Sequence, residues 1–277
     1  MYKKILLIGA LCASIANADD SLAKKSQNPV GNMYSVPLEY WHHNGIAEDG
    51  EGAANMAILK PVIPVSVGDY NLINRFIIPY VGIDPHNGGD LGNVILPSSD
   101  TKESGLANIQ YQGIFSPKKP GSVIYGLGAV VEFPTHSKDL GSDNYSAGPV
   151  FLALTMPGNW VFGTLVQNVW SIGGSSNPDD DINSLLWQYF VNYNFSNGWY
   201  ATSTPIMTAD WNAPSGEKWT VPLGGGIGKM MKFDNFPPLD FKLQAFSNVV
   251  KPTGGADWQM FFVVKLILPK QMFGGSK

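Results

Sequence analysis

From Met33 onward the chain alternates apolar and polar side chains residue by residue, in segments of roughly ten residues. A period of two belongs to extended backbone, in which successive side chains point to opposite faces. The last segment is the clearest. In Trp258–Leu268 one parity holds Trp258, Met260, Phe262, Val264, Leu266 and Leu268, and the other holds Gln259, Phe261, Val263, Lys265 and Ile267. Leu239–Val249, Leu185–Phe195, Val123–Phe133 and Ala107–Phe115 repeat the pattern. Segments of this kind fall at 33–41, 54–65, 70–82, 105–115, 123–133, 145–156, 160–171, 183–195, 199–210, 218–231, 239–250 and 257–269. Their length suits a tilted strand crossing a bilayer, with the apolar face toward lipid.

The connections alternate as well. Ser66–Asp69, Ser116–Ser122, Pro157–Asn159, Ser196–Gly198 and Lys232–Pro238 are short. His42–Ala53, Ile83–Ser104, Pro134–Asn144, Ile172–Ile182, Trp211–Glu217 and Lys251–Ala256 are longer or more polar. Such alternation is what an up-and-down barrel with short periplasmic turns and longer outer loops requires. An open sheet edge in hydrocarbon would leave each unpaired backbone group several kcal/mol out of pocket, so strand 257–269 must close on strand 33–41. The expected fold is therefore all-β, a twelve-stranded antiparallel transmembrane up-and-down β-barrel with a short N-terminal helix near Ser21–Asn28. The barrel is expected over 33–270 as one domain. Residues 19–32 are then a periplasmic segment or plug helix, and 271–277 a tail.

Residues 1–18 read as a signal peptide. Lys3 and Lys4 precede the apolar run Ile5–Ile15, and Ala16-Asn17-Ala18 is a cleavage motif. Cys12, the only cysteine, lies in that run, so the exported chain has no thiol. Charged residues make up only 14% of the sequence and the net charge is −4, which leaves no basic stripe for nucleic acid. The competing all-β reading is a soluble exported sandwich. Against it, Trp160 and Trp199 fall beside short turns, and Trp41, Trp170, Trp211, Trp219 and Trp258 beside long loops, as in the aromatic girdles of a membrane barrel. The main internal objection is proline within strands: Pro37, Pro61, Pro64, Pro79, Pro205 and Pro222.

Four stretches carry a family resemblance: Ala153-Leu-Thr-Met-Pro-Gly-Asn-Trp160, Asn192-Tyr-Asn-Phe-Ser-Asn-Gly-Trp-Tyr200, Thr208-Ala-Asp-Trp211 and Lys218-Trp-Thr-Val-Pro-Leu-Gly-Gly-Gly-Ile-Gly-Lys229. The sequence resembles a bacterial outer-membrane transporter family related to the "meta-pathway of phenol degradation" group, whose members are sometimes mislabelled neuromedin U. The resemblance covers roughly residues 22–270. It implies an outer-membrane barrel that takes up small compounds, aromatic or hydrophobic ones among them, and it brings no catalytic residues.

The polar parity is expected to face the lumen. Its charged members are Glu39, Lys60, Arg75, Glu132, Asp210, Lys218, Asp240, Lys242 and Lys265. They form either a pore lining that tunes selectivity or a salt-bridge network that fills a narrow barrel. Catalysis is not expected: His42, His43, His86 and His136 all fall in expected outer loops, and no His-x-Ser pair shares a strand face. Gly224–Lys229 departs from a phosphate loop at Leu223 and Met230. Asp179-Asp180-Asp181 with Asn183 departs from a calcium loop at Ser184 and Phe190, and His42-His43 lacks a third ligand. The expectation is a non-enzymatic, monomeric channel or transporter of the bacterial outer membrane, gated by its outer loops, chiefly Ile83–Ser104. It has no cofactor or metal, and its partners are outer-membrane lipid and a small-molecule solute. The alternative is a structural or surface-interaction barrel with a filled lumen.

Overall fold

The computed structural model describes residues 20–47, 50–83, 86–90, 95–99, 102–138, 140–178 and 181–268, with 86–90 and 95–99 in backbone only. The expected signal peptide 1–18, the tail 271–277, Asp179 and Asp180 lie outside the described residues, as do 84–85, 91–94 and 100–101 of loop 83–104. One helix, α1 (Asp20–Ser26), precedes the strands. These are β1 (Tyr34–Ile46), β2 (Gly52–Leu59), β3 (Val62–Val67), β4 (Tyr70–Ile83), β5 (His86–Asp90), β6 (Ile95–Ser99), β7 (Glu103–Leu106), β8 (Ile109–Pro117) and β9 (Val123–Phe133). There follow β10 (Tyr145–Thr155), β11 (Trp160–Gly173), β12 (Asn183–Asn194), β13 (Trp199–Ser203), β14 (Ile206–Asp210), β15 (Trp219–Met231), β16 (Leu239–Val250) and β17 (Trp258–Leu268). Taken with β2–β3, β7–β8 and β13–β14 as broken single strands, they form a closed antiparallel barrel of twelve staves. β5 and β6 make a separate hairpin in the longest loop.

Closure runs through β1 and β17, paired without interruption from Tyr34↔Leu268 to Asn44↔Trp258. β1 also pairs with β2 and, at Ser35, with β3, and β17 with β16, so neither terminal strand presents an open edge to hydrocarbon. The short turns, among them Gly158 and Asn197-Gly198, gather at the end where Tyr34 and Leu268 lie. Asn197 and Gly198 take φ of 59° and 72° there, the left-handed turn geometry that Asn-Gly tolerates best.

The prolines are answered by the breaks. Pro61 separates β2 from β3, and Pro205 separates β13 from β14. Pro37 stands opposite the first break, where Lys60 N donates to the Pro37 carbonyl. Pro79 stands opposite the gap between β7 and β8, and Ala107 N donates to its carbonyl. Pro222 marks a register shift against β16. Pro64 lies inside the β3–β4 ladder, on a strand whose other edge meets β1 at Val62 alone, and Pro149 of β10 faces Ala129 on one edge and a gap in the β10–β11 ladder between Ala147 and Val150 on the other. A residue that cannot donate has been placed where the ladder already fails.

The outward parity is apolar. Leu127 is 61% exposed, Ile227 55% and Leu38 53%, and Trp258 and Phe262 stand on the same exterior. So broad an exposed apolar surface has no place in water and is the lipid-facing wall of a membrane barrel. Trp160, Trp170, Trp199, Trp211 and Trp258 are exposed near strand ends. Trp41 is not part of that girdle. β1 runs on to Ile46, so Trp41 lies mid-strand on the inward parity with Glu39 and His43, and it is buried. His42 and His43 likewise belong to β1 rather than to a loop.

The interior also differs from a uniformly polar lumen. Met56, Ile58, Ile73, Ile114, Leu152, Leu154, Val161, Leu165, Phe190 and Phe261 are inward and form one apolar cluster. In a barrel this narrow, side chains from facing walls meet, and apolar pairs fill the space without leaving unsatisfied polar atoms.

Candidate functional site in the barrel interior

One stretch of the interior stays open. A cavity of about 180 Å3 lies inside the barrel toward the turn end. Glu39, Lys60, Arg75, Asp240, Lys242 and Lys265 line it. They come from β1, the β2–β3 break, β4, β16 and β17, neighbouring staves on one side of the wall. Pairing sets their level: Glu39 is opposite Val263, and Val263 is opposite Lys242.

Two of the four basic groups are neutralised. Lys60 Nζ is 2.8 Å from Glu39 Oε2, which also accepts from Trp41 Nε1 at 2.8 Å. Lys60 Nζ sits 4.7 Å above the Trp41 ring, adding a cation–π contact. Lys265 Nζ is 3.1 Å from Asp240 Oδ2, and Tyr200 donates its hydroxyl to Asp240 Oδ1 at 2.7 Å. Tyr200 fits because Gly228 has no side chain; a Cβ there would lie 2.1 Å from the ring. Arg75 and Lys242 have no carboxylate partner among the described residues. Arg75 Nη1 donates to Gln112 Oε1 at 2.9 Å, and Lys242 Nζ makes one long contact of 3.5 Å to Thr204 Oγ1.

The floor is not barrel wall. Residues 25–29, Gly31 and Met33 of the N-terminal segment contribute much of it. A seven-residue helix is too short to be stable alone, and α1 is held by the barrel mouth. Gly198 N donates to Asp20 Oδ1 at 2.8 Å, and Gln27 Nε2 donates to Asn194 Oδ1 at 2.8 Å. Lys24 Nζ donates to the carbonyls of Met156 and Gly158, and Lys265 Nζ to the Ser26 carbonyl at 2.8 Å. Ala23 packs with Met230 and Ile267, and Val30 joins the main apolar cluster.

The other three charged candidates lie elsewhere. Glu132 belongs to a glutamine network: Gln110 donates to it at 3.3 Å, and Gln112 Nε2 donates to Gln110 at 2.9 Å and to Gln167 at 2.8 Å. Asp210 accepts from Asn212 N, and Lys218 donates to the Trp211 carbonyl, both at the loop end. Sequence reasoning passed over Gln110, Gln112 and Gln167 as site residues because it weighed charges only. It also passed over Gln244, which accepts from Thr204 N at 3.0 Å and so stitches the break at Pro205. At the loop end, His136 contacts Asp143 through Nε2 at 3.0 Å, while Ser137 Oγ accepts from Leu106 N. Among the described residues no three His, Cys, Asp or Glu side chains converge on a metal position.

No protein-family model and no curated protein matches the chain. Among solved structures it is similar to the COG4313 outer membrane channel from Pseudomonas putida F1, with a TM-score of 0.61 at 11% identity over 85% of this chain and 96% of that one. It is more loosely similar to the Pseudomonas putida toluene transporter TodX, with a TM-score of 0.41 at 9% identity over 92% and 95% of the two chains. The first of these likenesses establishes that the fold is that of an outer-membrane β-barrel.

Proposed function

We propose that the chain is a monomeric channel of the bacterial outer membrane that passes small solutes by diffusion, and that it is closed here by its own N-terminal segment. The observation that carries this reading is the charged chamber, whose floor is a short segment held at the barrel mouth by a handful of polar contacts. A wall built for rigidity alone has no need of four basic groups in a cavity, since burying ions is costly without full pairing. The likeness in fold to a solved outer-membrane channel supports the reading, and so does the motif resemblance to the transporter family related to the phenol meta-pathway group, which points toward aromatic or hydrophobic solutes. In the bilayer the turn end and α1 then face the periplasm.

The apolar cluster above the chamber favours a second reading, a filled barrel that serves as scaffold. Planar-bilayer conductance separates the two. Deleting residues 20–32 from the exported chain opens steady ion conductance if the segment is the closure. A folded deletion variant that stays silent to ions and to small solutes leaves the scaffold reading standing.

A further inference from the structure

The charge in the chamber does not balance. Four basic side chains face two carboxylates, and each carboxylate is already engaged by one lysine. Arg75 and Lys242 remain, with one neutral partner apiece. Exposed Lys25 adds a further cation at the edge of the same cavity. Buried cations are tolerated only when something answers them, and the barrel supplies no third carboxylate to this cavity. The remaining lining is mixed: Gln188, Asn192, Thr202, Thr204 and Gln244 are polar, while Trp41 and Phe261, stacked with centroids 4.1 Å apart, and Phe190, Ile206 and Val263 give it a flat-sided apolar part. A cavity of roughly 150 Å3 accommodates benzene, so about 180 Å3 takes one ring with a small substituent.

We infer that the chamber is a binding site for a small organic carboxylate, with the carboxylate between Arg75 and Lys242 and its apolar body against Trp41, Phe261 and Phe190. Arg75 offers a planar fork and Lys242 a point charge, a combination suited to a carboxylate.

The inference deepens the channel reading by naming its solute class, and its biological use rests on that reading. The test needs no transport. The purified full chain in detergent micelles is titrated with benzoate, with the isosteric neutral benzamide and with inorganic phosphate, followed by calorimetry. Benzoate is expected to bind saturably at one site, at least about tenfold more tightly than benzamide or phosphate. Lys242→Gln and Arg75→Gln each weaken benzoate roughly ten- to hundredfold, the worth of one charge-assisted contact, and Lys242→Arg keeps it. Heat-modifiable gel mobility confirms that each variant is folded, and the benzoate-to-benzamide ratio in the unaltered chain stands even where a variant does not fold. Equal binding of benzamide overturns the charge argument, and equal binding of phosphate overturns the apolar-body argument. Absent benzoate binding, or binding indifferent to Lys242, overturns the site altogether. A chain that binds benzoate but never conducts keeps the site and loses the channel.

Discussion

An excess of positive charge makes the two members of the Glu39–Lys60 pair unequal. Lys60→Met removes one of four cations and leaves Glu39 with the Trp41 N–H and with Arg75 and Lys242 nearby. Glu39→Gln does the opposite: it leaves four cations facing Asp240 alone. The side chains of Lys60 and Glu39 are only 11% and 15% exposed, so water screens little of the difference. Breaking a buried pair generally costs about 3–5 kcal/mol. We place Glu39→Gln in that range and Lys60→Met near 2 kcal/mol, because the local field still favours its orphaned partner. Removing both, as Glu39→Leu with Lys60→Met, should cost less than Glu39→Gln alone, since apolar replacement of a whole pair is often neutral. Urea unfolding in lipid vesicles, read by tryptophan fluorescence, measures all three. Equal costs, or a larger loss for Lys60→Met, would refute the claim that the chamber carries uncompensated positive charge, and the anion site would lose its foundation.

Other expectations follow from individual contacts. Gly228→Ala drives a methyl into the Tyr200 ring; overpacking costs about 1–3 kcal/mol, read in the same unfolding assay, and Gly228→Ala with Tyr200→Phe should not recover it fully, because Asp240 has then lost its hydroxyl donor. His43 is buried and its Nε2 has no hydrogen-bond partner among the described residues; His43→Leu should stabilise the barrel, by about 1 kcal/mol, as an unsatisfied buried group is removed. Lys24→Ala with Gln27→Ala removes the ties of the N-terminal segment to Met156, Gly158 and Asn194 while leaving Asp20 on Gly198, and should raise the frequency of open events in single-channel recordings without changing the amplitude of the fully open state.

The fold was legible in the sequence because a strand that spans lipid must declare its face at every second residue. Trp258–Leu268 does so without exception on its apolar parity, and Leu239–Val249 and Leu185–Phe195 nearly so. Closure then followed from hydrocarbon chemistry alone. The interior was harder to read. Periodicity says which side chains point inward, not how far they are from the opposite wall, so nothing in the alternation of Met56, Ile58, Leu152 and Leu154 announced that they would meet. Charge drew attention to Glu39, Lys60, Arg75, Asp240, Lys242 and Lys265, which the staves bring around one chamber, and equally to Asp210 and Lys218, which they do not. Distinguishing the two groups needs the height of each residue in the barrel, and height depends on register, which shifts between β7 and β8, at Tyr145/Ser146 and at Val221/Pro222, yet runs on unchanged across the breaks at Pro61 and Pro205. Trp41 was misplaced for a related reason: β1 continues five residues past it to Ile46, and no turn residue marks the place where the segment was expected to end.

The seam between Tyr34 and Leu268 has a bearing on how such a molecule can come into being. The first stave made is also the neighbour of the last, so its outer edge waits for a partner 234 positions away in the chain. A copy cut short before Trp258 has two raw edges instead of none, each with a row of amides and carbonyls that lipid cannot answer. Insertion is therefore a test of completeness: the membrane accepts the finished cylinder and rejects its fragments, and the final eleven residues of the seam decide which of the two a given copy becomes.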